Sequence, residues 1–106
     1  MIQQLNSTQL IFDTLSHKLD DDLPQIRAKA AESLGKIGTE KVLSYLLQSL
    51  TDPEPKVRAV AATILGEIGT EASIASLSQA CSDPDDDVRL SAVDALGKIG
   101  YRYALN

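Results

Sequence analysis

Leu34-Gly35-Lys36-Ile37-Gly38 returns as Leu65-Gly66-Glu67-Ile68-Gly69 and again as Leu96-Gly97-Lys98-Ile99-Gly100, at a constant spacing of 31 residues. These strings hold all six glycines of the chain. The same spacing links Asp21, Asp52 and Asp83; Arg27, Arg58 and Arg89; Ile26, Val57 and Val88; Ala30, Ala61 and Ala92; and Thr8, Thr39 and Thr70. Self-similarity at a fixed period of this length marks a repeat architecture in which each unit is one supersecondary element. The chain parses as a single domain, 1–106, made of units 8–38, 39–69 and 70–100 with a tail at 101–106.

Each unit reads as two helices. In the middle unit, Thr39 is an N-cap candidate, because a hydroxyl there can accept from an unpaired backbone N–H. Val42, Leu43, Leu46, Leu47 and Leu50 then recur at helical spacing. A Pro-containing acidic joint, Thr51-Asp52-Pro53-Glu54-Pro55, precedes a second helix from about Pro55 to Ile68; proline and acids suit a first helical turn. Gly69 suits the left-handed C-terminal cap. At 100° per residue, Ile26, Ala30, Ser33, Leu34 and Ile37 share one face of the first unit's second helix, and Gln25, Ala28, Lys29, Glu32 and Lys36 the other. The first set is apolar or small in every unit and the second varies, as a buried face and an exposed one would. The fold class expected is all-α, a solenoid in which each helix pair covers the apolar side of the last.

Composition narrows the partners. Hydrophobic residues make up 43% and charged residues 24%, and the net charge is −5. Ten basic residues spread along the chain against fifteen acids do not form the cluster a phosphate surface needs. Nucleic acid and membrane are not expected as partners. One cysteine allows no internal disulfide. Met1-Ile2-Gln3-Gln4-Leu5-Asn6 lacks the basic start and apolar run of a signal peptide, and no stretch approaches about 20 apolar residues. A cytoplasmic location is the expectation.

The pattern Asp52…Val57-Arg58-x-x-Ala61-Ala62-x-x-Leu65-Gly66-x-Ile68-Gly69 resembles the HEAT repeat, and more narrowly the short HEAT-like repeats of the phycobilisome-lyase type. The resemblance covers residues 8–100. It implies a superhelix with second helices on the concave face and first helices on the convex one. It also implies that Asp21, Asp52 and Asp83 with Arg27, Arg58 and Arg89 hold neighbouring units together. The spacing agrees, since an arginine six residues after an aspartate in a tight joint can reach turn carbonyls and a carboxylate. The family includes scaffolds, regulatory modules and subunits that attach or remove bilins. A partner-dependent role in a bilin lyase is therefore the alternative to a protein-interaction scaffold.

Side chains with chemistry read mostly as structure. His17 takes the place of Gln48 and Gln79 on the polar side of a first helix, and Cys81 the core place of Leu19 and Leu50. A nucleophile and its base need about 3 Å. Helices packed about 8–10 Å apart put units one and three on the order of 20 Å apart, too far for a dyad. Asp83-Pro84-Asp85-Asp86-Asp87 lacks the glycine and distal glutamate of a calcium loop. No catalytic, cofactor-binding or metal-binding residue is expected, and the chain is expected not to be an enzyme. The binding surface expected is the concave stripe: Lys29, Glu32 and Lys36; Lys56, Val60, Thr63 and Glu67; Leu90, Asp94 and Lys98. Val60 and Leu90 supply apolar centres in a charged rim, the anatomy of a protein interface. The partner expected is a protein, and bare stack ends would pair two copies of the chain as a homodimer.

Overall fold

A computed structural model describes residues 2–105, with side chains described from Asn6 onward; Met1 and Asn106 of the expected 1–106 domain lie outside the described residues. Among the described residues six α-helices follow in order: α1 Ile2–Lys18, α2 Pro24–Ile37, α3 Glu40–Ser49, α4 Pro55–Ile68, α5 Ile74–Ala80 and α6 Asp86–Ala104. A short 3₁₀ turn, Glu71–Ser73, precedes α5. Among the described residues there is no strand. The pairs α1/α2, α3/α4 and α5/α6 are the three units. The second helices form the spine, with α4 packed most extensively against α6 and then against α2.

The spine is close because small residues face one another along it. A Cβ on Gly35 would stand 2.4 Å from Ile64 Cγ2, and a Cβ on Gly66 would stand 2.6 Å from the Ala95 backbone. Ala31, Ala61, Ala62 and Ala92 are fully buried in the same layer. Leu34, Leu46, Leu65, Leu77 and Ile99 fill the space between the layers. On the first-helix side, Phe12 and Tyr45 meet edge to face with ring centroids 5.6 Å apart. Tyr45 is thus half-buried against a neighbouring helix.

Other expectations shift at the unit boundaries. Gly38 and Gly69 adopt φ of 65° and 72° and end α2 and α4. Gly100 does not end its helix, and α6 continues to Ala104. Its backbone stays helical, and the left-handed geometry of Gly38 and Gly69 is not repeated at Gly100. The tail 101–106 therefore begins as the last turn of α6. Likewise α1 starts at Ile2, ahead of the unit boundary at Thr8. Thr39 and Thr70 hold the N-cap positions, yet neither side chain makes a capping bond. Their carbonyls do the work, accepting from Val42 N and Ser73 N, and Thr70 Oγ1 is left buried without a partner.

The buried face of the second helices is wider than one helix read alone indicates. Ala28 is 6% exposed although it falls on the expected outer face, and Ile26 is 38% exposed although it falls on the inner one. A spine helix has neighbours on two sides, so burial follows position in the stack as well as the periodicity of a single helix. Gly66→Ala should overpack the α4–α6 contact and lower stability by about 1–3 kcal/mol. Gly97→Ala, where nothing lies within 4 Å, should raise stability by about 0.5–1 kcal/mol by removing a helical glycine. Urea unfolding of the two variants at micromolar protein checks the opposite signs.

Candidate protein-binding face and the joints that set it

The three inter-helix joints share their local bonds, and the first two also reach into the next unit. Arg58 donates from Nη1 to the carbonyls of Asp52 and Pro53 in its own joint, at 2.8 and 3.2 Å. Its Nε and Nη2 form a two-pronged bond to Asp83 in the next unit, each at 2.9 Å. Arg27 does the same one unit earlier, binding the carbonyls of Asp21 and Asp22 and both carboxylate oxygens of Asp52 at 2.9 and 3.0 Å. Each aspartate in turn accepts from a backbone N–H two residues on: Asp21 from Leu23, Asp52 from Glu54, Asp83 from Asp85. One guanidinium therefore satisfies the carbonyls of one turn while locking the acid that shapes the next. A planar five-donor fork is the side chain that can do both.

The pairs are sheltered. The side chains of Arg58 and Asp83 are 15% and 12% exposed, and those of Arg27 and Asp52 14% and 10%. The bond from Arg58 holds the Asp83 carboxyl below the ordinary aspartate range; loss of hydration opposes it, and the backbone donor at Asp85 adds a smaller downward pull. The bonds to Asp83 and Asp52 raise the Arg58 and Arg27 guanidinium groups above their ordinary value. At the last joint, Arg89 keeps its bonds to the carbonyls of Asp83 and Pro84, at 2.8 and 3.1 Å, but its Nη2 turns to Asp86 of the same joint.

These joints align α2, α4 and α6 so that their outer sides make one surface. Between them lies an open groove of about 420 Å³ bordered by Glu32, Ala59, Val60, Thr63, Glu67 and Ser91. The structure thus brings Glu32, Val60, Thr63 and Glu67 of the expected stripe together. Val60 is half-buried and packs against the core, and Thr63 and Glu67 are exposed. Leu90 stands 68% exposed beside Ser91. Lys29 is tied to Glu32 at 3.0 Å and lowers that carboxyl below its ordinary range. Lys98 pairs with Asp94 at 3.3 Å on α6. Lys36 and Lys56 are exposed and do not border the groove. His17 is exposed on α1, and Cys81, half-buried, follows α5 two units away.

The repeat alignment passed over Arg102. Its two terminal nitrogens donate to the carbonyls of Gly66 and Glu67, at 3.1 and 2.9 Å. A cation is thus placed on the unpaired carbonyls at the C-terminus of α4, where it is favoured. The one signal in the sequence is an arginine in the tail that follows the third glycine string.

A family model described as HEAT repeats matches residues 1–54 and again 43–106. No match to this chain is found among curated proteins. Among solved structures, human deoxyhypusine hydroxylase in complex with glycerol is similar, with a TM-score of 0.76 and 27% identity over 85% of this chain and 32% of that one. The chain thus spans about a third of that protein's length. This likeness corrects the expectation that the chain is not an enzyme. The neighbour of like fold is one, and a helix-pair stack hosts whatever site its surface residues build, so the architecture is no argument against catalysis.

Arg58→Ala should cost about 1–3 kcal/mol, because it strands Asp83 and two joint carbonyls, while Lys56→Ala stays within about 0.5 kcal/mol; thermal melts of the two compared with wild type decide it. Because the Asp83 carboxyl is depressed in the folded state, its contribution is present above the ordinary aspartate pKa and is lost as pH falls through the folded value. The melting temperature of wild type should therefore drop below about pH 4. The gap between wild type and Asp83→Asn should narrow over the same range in a pH series of melts.

Proposed function

We propose that this chain, which belongs to the HEAT repeat family, holds a protein partner in the groove along its second helices, the face that the family's architecture makes concave. The observation that carries the reading is the groove itself. It touches all three units, and its lining joins the half-buried Ala59 and Val60 with Glu32, Thr63 and Glu67. An apolar centre inside a polar rim is what a protein interface needs: the centre gains from losing water and the rim fixes register. The joint arginines support the same reading, because a surface assembled from three helices is a defined surface only if their spacing is fixed. Thr63, Glu67 and Leu90 on this face stand exposed, so they are free to specify a partner. Leu90, with 68% of its surface in water, has no role inside the fold that explains its size, since Ala28 and Ala59 stand at the same place in the other units.

The test compares wild type with Val60→Asp and Leu90→Asp in a pull-down, with melting curves to establish that both variants fold. A protein retained by wild type and lost by the two folded variants is the expected result. Identical sets of bound proteins for all three would remove the groove from consideration.

A further inference from the structure

Two internal joints obey the same rule, and among the described residues the third copy of the rule finds no taker. Between α2 and α4, Gly35 leaves room for Ile64, Ala31 is fully covered, and Arg27 grips Asp52. Between α4 and α6, Gly66 leaves room for Ala95, Ala62 is fully covered, and Arg58 grips Asp83. In the third unit the corresponding residues are Gly97, Val93 and Arg89. A Cβ on Gly97 would meet nothing within 4 Å, Val93 is 60% exposed, and Arg89 turns to an exposed carboxylate in its own joint.

The opposite end of the stack carries the complementary set. The positions matching Ile64 and Ala95 fall on Ser33, and those matching Asp52 and Asp83 fall on Asp21. The Asp21 carboxylate faces Lys18 at 3.6 Å and the Leu23 N–H at 3.0 Å, with no arginine in an ion pair with it. Ile26 is 38% exposed where Val57 and Val88 are fully buried. Beside it, Leu15, Ala30 and Ser33 border an apolar hollow.

We propose that two copies of the chain stack head to tail, α6 of one copy docking on α2 of the next in the register of the internal joints. Arg89 then takes Asp21 of the second copy in the two-pronged bond made twice inside each copy, and Gly97 receives Ser33. Charge and shape both select this occupant. The guanidinium edge that in one copy turns to the exposed Asp86 exchanges it for the carboxylate that lacks an arginine, and a side chain between Ala and Ile in size meets the glycine that has none against it. The contact joins unlike surfaces, so it leaves one free end of each kind and extends beyond a dimer unless it closes into a ring.

Sedimentation velocity over a concentration series provides the test, with Arg89→Asp, Asp21→Arg and Gly97→Leu beside wild type. Wild type should rise above the 11.4 kDa of one chain as concentration increases. Arg89→Asp and Asp21→Arg should each weaken association at least tenfold alone and recover it when mixed, because one contact then pairs the exchanged charges and the other the native ones. Gly97→Leu should abolish association while its melting temperature stays at or above that of dilute wild type, which separates a blocked face from a misfolded chain. The proposal is overturned by a wild type that remains a monomer at every concentration, by an unchanged mass in the mixture, or by association that survives Gly97→Leu.

Discussion

Arg58 belongs to two joints at once, and the order of the stack depends on that sharing. A tight turn between helices leaves carbonyls that must be paired or left in water, and neighbouring units must be held at one spacing. A single guanidinium meets both requirements, because its Nη1 edge takes the carbonyls of Asp52 and Pro53 while its Nε and Nη2 take Asp83. A pair buried this far loses hydration on both partners, so its net contribution to stability is smaller than its geometry suggests. Its larger effect is on specificity: a slip of one helix against the next would strand both charges. Apolar packing of Leu, Ile and Ala has no such directional term.

The glycine strings solve the second half of the same problem. The salt-bridged joints fix one end of each spine helix, and the helices must then lie close enough along their length to exclude water. Gly35 and Gly66 allow that approach in the last turn of α2 and α4, while Gly38 and Gly69 let the chain turn in left-handed geometry toward the next unit. The two glycines of each string thus do different work at a spacing of three residues, and that is why they recur as a unit. In the third unit both duties lapse: Gly97 has nothing against it and Gly100 lies inside a continuous helix.

The periodicity made the helix pairs and the acidic joints legible, because these depend on residue type at fixed spacing and are repeated three times; the reach of Arg27 and Arg58 into the next unit is implied by the resemblance to the HEAT repeat, since spacing alone points to the aspartate six residues back, of which only the carbonyl is bound. It could not show Ala28 buried or Ile26 partly bare, because those follow from how many neighbours a unit has rather than from the unit's own sequence. Thr39 and Thr70 misled for a related reason. The cap rule treats a helix start as free in water, whereas here a left-handed glycine feeds the chain directly into the next helix and the threonine carbonyl is engaged before its hydroxyl. Of the candidate face, Val60, Thr63, Glu67 and Glu32 come together as the helical wheel places them. Lys36 and Lys56 lie on the same side of their helices but off the groove, since a wheel gives angle and not depth. Arg102 was invisible to the alignment because its partners are backbone carbonyls, which leave no mark in a pattern of side chains.

A repeat stack is close to one-dimensional, so each unit is stabilised by its own helices and by the joints on either side. The middle unit has both joints, and its Val42, Leu46, Val57 and Leu65 are fully buried. The outer units have one each, and the difference appears at matched positions: Ile11 is 55% exposed where Val42 is fully buried. Specialised end units usually blunt such faces with polar residues. Here the last unit presents Leu90 and Val93, larger than the alanines at the same places in both earlier units. Larger apolar side chains at a position where no helix of the chain covers them raise the free energy of an isolated molecule in water. The sequence therefore departs from its own repeat in the direction that favours contact over solvation, and it does so on the helix that borders both the groove and the open end.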